Sequence, residues 1–102
     1  MHHDRVTVHP KKVKKGENVK IKYQGLLKES GAEEVLCHYG YDGWQQKGIV
    51  PMQKSYDGSF TCELTAKGQK EINFCFKDNA DNWDDNNGWN WHCEISPRGL
   101  FF

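Results

Sequence analysis

Trp83, Trp89 and Trp91 stand within the segment from Phe76 to Trp91, which is otherwise built mainly of aspartate, asparagine and glycine. An indole offers a flat, weakly hydrated face that can lie against the C–H groups of a pyranose, and short amides and carboxylates beside it can exchange hydrogen bonds with ring hydroxyls. The composition is that of a sugar-contacting loop, in which each indole is either a platform for a ligand or a plug that pins the loop to the core. Trp91 alternates with Cys93 and Ile95 and reads as core, whereas Trp89 fits either role.

Other chemistry in the same residues meets objections. Asp84 and Asp85 are adjacent carboxylates, but glycoside hydrolysis needs two carboxyls facing each other across the sugar at roughly 5–9.5 Å, and so short a chain offers no opposing wall. Asp78, Asp81, Asp84 and Asp85 are oxygen donors suited to calcium, so a structural cation competes for this loop. The EF-hand spacing is missing, however, and no cofactor is expected. Cys37 and His38 are neighbours on a strand and point to opposite faces, so they are no nucleophile pair. The cysteines Cys37, Cys62, Cys75 and Cys93 and the five histidines show no paired zinc or redox spacing. Two disulfides would suit a secreted chain; buried free thiols are the preferred reading, since three of the four cysteines fall on apolar-facing strand positions.

The 102 residues suit one domain, a single module over 1–102 with its core at about 5–96. The 14 basic residues balance 14 acidic ones, so the electrostatic footprint of a nucleic-acid binder is absent. Lys11-Lys-Val-Lys-Lys15 is the local exception and reads as a solvated turn before a strand. No apolar run approaches the ~18 residues of a membrane span. Met1-His2-His3 lacks the apolar region of a signal peptide and has the look of a tag remnant as much as of a native start. Compartment stays open, extracellular for a module of a secreted amylase and cytoplasmic for a free-standing chain.

The elements that must position these residues are strands. Val19-Lys-Ile-Lys-Tyr23 places Val19, Ile21 and Tyr23 on one face and lysines on the other. Val35–Tyr39, Phe60–Leu64, Ile72–Phe76 and Trp91–Ile95 repeat the device, and helical periodicity is found nowhere. Arg5–His9 is a first strand and Met52–Tyr56, after Pro51, an edge strand. Turns fall at Gly16, Gly31, Gly43, Gly58 and Gly68. Six or seven short antiparallel strands predict an all-β sandwich of immunoglobulin-like architecture.

His38-Tyr-Gly-Tyr-Asp-Gly-Trp44, followed by Met52, Asp57-Gly-Ser-Phe60, Phe74-Cys-Phe-Lys-Asp78 and Trp83-Asp-Asp-Asn-Asn-Gly88, resembles the starch-binding carbohydrate-binding modules of families 25 and 53 over nearly the whole chain. The resemblance implies a non-catalytic β-sandwich that binds α-1,4-glucans such as starch, glycogen and maltooligosaccharides. It implies a contact surface of His38, Trp44 and Trp83, with Asn86 or Asn87 as hydrogen-bonding partner, and a tethered glucan-processing enzyme as neighbour. The extra aspartate in Trp83-Asp84-Asp85-Asn86 and the bulky Trp89 after Gly88 depart from the family pattern. By strand parity His38 points outward, where an exposed ring nitrogen beside Trp44 would bond a sugar hydroxyl. The competing reading is a protein-interaction domain whose exposed tryptophans are hot spots.

Overall fold

The computed structural model describes residues 5–97. Met1-His2-His3 and both ends of the 1–102 span therefore lie outside the described residues. Within them the order is β1 (Val6–His9), β2 (Lys12–Lys14), β3 (Asn18–Tyr23), α1 (Leu26–Glu29), β4 (Val35–Tyr41), β5 (Gln46–Pro51), β6 (Gln53–Lys54), β7 (Phe60–Thr65), β8 (Glu71–Asp78), β9 (Trp83–Asp84) and β10 (Trp91–Ser96). One sheet runs β1-β3-β7-β6 and the other β2-β10-β8-β4-β5, with β9 added alongside β8.

Alternation determines which face each strand buries. Val19, Ile21 and Tyr23 of β3 and Phe60 and Leu64 of β7 are buried, as are Val35, Cys37 and Tyr41 of β4, Ile72, Phe74 and Phe76 of β8, and Cys93 and Ile95 of β10. These side chains form one core cluster between the sheets. The all-β, immunoglobulin-like sandwich expected from the pattern is the fold that forms.

Several local expectations need correction. The lysine-rich stretch is no solvated turn: Lys12–Lys14 is a strand whose Val13 is fully buried while its flanking lysines stay exposed. That strand pairs parallel with β10, so the sandwich is not purely antiparallel. Leu26–Glu29 forms a helical turn where no helix was expected, and its Leu27 joins the core. β5 was not foreseen, because none of its residues is fully buried. The edge strand after Pro51 shrinks to Gln53–Lys54, and Trp83, expected in a loop, lies on β9.

All four cysteines are free thiols. Cys37, Cys75 and Cys93 are buried, and Cys62 is half-exposed although it shares the inward side of β7 with Phe60 and Leu64.

Candidate functional site

Leu36, His38 and Gly40 occupy the outward side of β4, opposite the buried Val35, Cys37 and Tyr41. His38 pairs across to Ile49 on β5 and to Cys75 on β8; Leu36 pairs with Lys77 and Gly40 with Lys47. The outer face of the larger sheet therefore centres on His38.

Trp44 reaches this face from the β4–β5 hairpin. Asp42, Gly43 and Trp44 all take positive φ, at 50°, 75° and 68°, which makes a tight turn closed by the Gln45 N–H donating to the Tyr41 carbonyl at 2.8 Å. A non-glycine residue in this region is strained, and successive cases are uncommon away from functional turns. The Asp42 carboxylate holds the turn by accepting from the backbone N–H groups of Gln69 (2.9 Å) and Lys70 (2.7 Å). Those same hydrogen bonds keep its carboxyl below the usual range. The indole folds back over Gly40, where any β-carbon would collide with the ring. Glycine is required at position 40 for this close approach rather than for its dihedral freedom.

Trp83 arrives by a different route. The Asp78 carboxylate accepts from Ala80 N–H (2.9 Å), Asn82 N–H (2.9 Å) and Asn82 Nδ2 (3.0 Å), which folds the chain back so that β9 pairs with the end of β8. On the two residues of β9 the side chains alternate. Asp84 turns inward, 8% exposed, and accepts from the Tyr23 hydroxyl at 2.6 Å and from Leu26 N–H at 3.3 Å. Burial, and then the hydrogen bond to Asp84, push the Tyr23 phenol far up, so the phenol stays protonated and donates. Trp83 consequently turns outward, 49% exposed. Its ring centroid lies 4.6 Å from that of His38 at 59°, and the Lys77 ammonium sits 5.3 Å from the same ring while pairing with Asp81 at 2.7 Å.

A surface hollow of about 380 Å³ is lined by His38, Tyr39, Trp44, Lys47, Gly48 and Ile49. Trp83 adjoins this hollow through His38. The structure thus brings Trp83 together with His38 and Trp44, which lie about forty residues earlier in the chain.

For His38 one expectation is corrected. Its Nε2 is enclosed and has no hydrogen-bond partner, so this nitrogen is not the exposed one expected beside Trp44. Burial, followed by the nearby Lys77 charge, lowers its pKa, which keeps the imidazole neutral at pH 7.

Asn86 and Asn87 lie on the β9–β10 loop and do not line the hollow. Both take positive φ of 58°, which asparagine tolerates better than most residues. Asn86 Nδ2 is already spent on the Asn90 carbonyl at 3.0 Å, and Asp85 accepts from Gly88 N–H at 3.0 Å. Trp89 on this loop is 83% exposed, and Trp91 is half-buried against Phe76 with centroids 5.3 Å apart.

Two contributors were missed by sequence reasoning. Ile49, 59% exposed in the hollow, sits on the unforeseen β5. Lys77, beneath Trp83, was legible in principle, since strand parity places it opposite the buried Phe76. Among the described residues no group of three or more His, Cys, Asp or Glu side chains is arranged to hold a metal ion.

Comparison with known proteins points the same way. The family model of the starch/carbohydrate-binding modules, family 53, matches residues 19–74, a span that includes His38 and Trp44 and stops short of Trp83. An alpha-amylase of Clostridium acetobutylicum is 32% identical over 100 residues, which covers 95% of this chain and 13% of the amylase. The chain therefore spans only a small part of that relative.

Proposed function

The chain belongs to the starch/carbohydrate-binding modules of family 53, a class that binds carbohydrate without catalysing its conversion, and from that premise we propose that it holds α-1,4-glucan chains on the outer face of its larger sheet. The observation that carries this reading is the pair of indoles set on one face by two different hairpins, Trp44 over Gly40 and Trp83 over His38, with a hollow beside them. Successive glucoses of an α-1,4 chain curve, so a site for them needs platforms supplied by separate elements. Trp44 and Trp83 are those platforms. His38 supports Trp83 and forms the floor between them, and Ile49 extends the apolar surface. Asn87, whose side chain makes no hydrogen bond among the described residues, offers its amide to ring hydroxyls, and Asn86 retains its Oδ1 for the same use.

Affinity is weak by construction. Sugar hydroxyls exchange water for protein at little net gain, and two stacking platforms place a site near micromolar to millimolar, so such modules gain avidity from tethering. The likeness to one piece of an alpha-amylase supports attachment to an amylolytic domain.

Native electrophoresis through soluble amylopectin tests the reading: the band should be retarded. Calorimetry should then show binding of maltooligosaccharides and none of cello-oligosaccharides, whose chains are straight. An unretarded band removes the proposal and leaves the exposed indoles as a surface for a protein partner. Equal heats for the two oligosaccharides would show that the platforms do not select a curved chain.

A further inference from the structure

We propose that Cys37 and Cys62 form a redox-active pair that closes into a disulfide between the two sheets by thiol–disulfide exchange at the open edge of the sandwich. Cys37 is fully buried on the inward side of β4, and Cys62 lies on the inward side of β7 in the opposite sheet, packed against the same core. They lie toward the same edge of the sandwich. Cys37 pairs with Val50 on β5, and Val50 and Cys62 line one surface cavity of about 340 Å³ together with Pro51.

The accessibility of Cys62 has a local cause. β6 pairs with β7 only at Phe60 and Thr61, so the edge of the smaller sheet is uncovered from Cys62 onward. An inward-facing sulfur is thereby reachable from solvent, while its partner is not.

The two thiols also divide the labour that exchange requires. The neighbouring Cys37 side chain holds the Cys62 thiol below the ordinary cysteine value, and the Cys62 side chain together with burial holds the Cys37 thiol above it. Burial raises the other two, Cys75 to about 11. Cys62, half-exposed and lining the cavity, is therefore the sulfur that meets the oxidant first, as its thiolate. That thiolate attacks one sulfur of a small-molecule disulfide such as oxidised glutathione, expelling a glutathione thiolate and leaving a mixed disulfide on Cys62. Cys37 then gives up its proton and attacks Cys62 Sγ, expelling the second glutathione. Both protein protons end on the two released thiols, so the dithiol is oxidised by two electrons and the oxidant is reduced by two. The resulting bond ties β4, the strand that carries His38, to the smaller sheet.

The test incubates the whole chain with oxidised glutathione, denatures it, counts thiols and maps the linked peptides. The expected product has two thiols instead of four, a mass lower by two hydrogens, and a single cross-linked peptide joining Cys37 to Cys62. In a separate pulse with iodoacetamide, Cys62 should be alkylated before the other three. Cys37→Ser should stop the reaction at the glutathione adduct of Cys62, and if that variant fails to fold, the alkylation order in the unaltered chain still decides. Four surviving thiols, a cross-link through Cys75 or Cys93, or a glutathione adduct that persists on Cys62 in the presence of Cys37 would overturn the proposal.

Discussion

Replacing Trp83 by alanine separates the two faces of its indole. The protein-side face packs on His38 and the Lys77 ammonium, and the residue is 49% exposed. A tryptophan presents roughly 250 Å², so about half of that, ~125 Å², leaves contact in the variant. At ~25 cal/mol/Å² this is ~3 kcal/mol, an upper estimate because the unfolded chain already hides part of its surface, and alanine keeps some of the contact. A loss of about 2 kcal/mol follows, the cation–π share of ~0.5–1 kcal/mol included. A domain stabilised by ~5–15 kcal/mol survives that loss. The solvent-side face is the proposed sugar platform. Burying on the order of 100 Å² of indole and pyranose together is worth ~2–3 kcal/mol, which is roughly a hundredfold in affinity. Urea denaturation and calorimetry with a maltooligosaccharide read the two quantities separately. The expected variant folds, with a modestly lower midpoint, and shows no measurable heat of binding. Affinity within threefold of the parent would refute the platform assignment, and unfolding in the absence of urea would show that Trp83 is a plug instead.

Trp91→Ala should do the reverse, costing about 3 kcal/mol through lost packing on Phe76 and the core while any folded fraction binds sugar normally; denaturation midpoint and calorimetry check both. EDTA should leave sugar affinity unchanged, because Asp78, Asp84 and Asp85 are spent on hydrogen bonds and Asp81 on Lys77; a loss restored by calcium would place a cation in this loop. Acid should weaken the fold through His38. Its pKa is lowered by burial and by Lys77, so the native state binds fewer protons than the unfolded chain below the ordinary value of ~6.5. Stability is fully present above that pH and falls as pH drops toward the native value. The difference between denaturation midpoints at pH 7 and pH 5 should therefore be smaller in His38→Gln than in the parent, and equal differences would refute this.

The strands legible in the sequence are those with one wet and one dry face. Val19–Tyr23, Phe60–Leu64 and Trp91–Ile95 alternate because each sheet has one face in the core, and that pattern is local. β5 was invisible for the opposite reason. It is an edge strand whose residues are all exposed or half-buried, and Gly48 and Pro51 disrupt the pattern further. β2 hid in a lysine run because only one residue, Val13, faces inward. The resemblance named His38, Trp44 and Trp83, but what supports them was not local. Gly40 under Trp44 and Lys77 against Trp83 are contacts made by tight hairpins whose geometry residue types do not announce, and Tyr23 behind Asp84 joins segments distant in sequence.

The aspartates and asparagines of residues 78–90 show why composition alone overstates a binding loop. Short polar side chains suit sugars, yet they also suit a backbone that must turn sharply, because they cap free N–H groups and tolerate left-handed dihedrals. Here the second use absorbs most of them. Asp78 organises one turn, Asp85 caps another, and Asp81, Asn86, Asn87 and Asn90 all take positive φ. Even the aspartate that departs from the family pattern has a place in this scheme. Asp84 is an inward anchor on Tyr23, and its neighbour Asp85 then takes the capping position. The indole that precedes them depends on the first: with Asp84 fixed inside, the strand period leaves Trp83 only the outward side, facing His38 across β8. In the proposed site the polar residues of this segment thus serve a glucan mainly by setting the tryptophan.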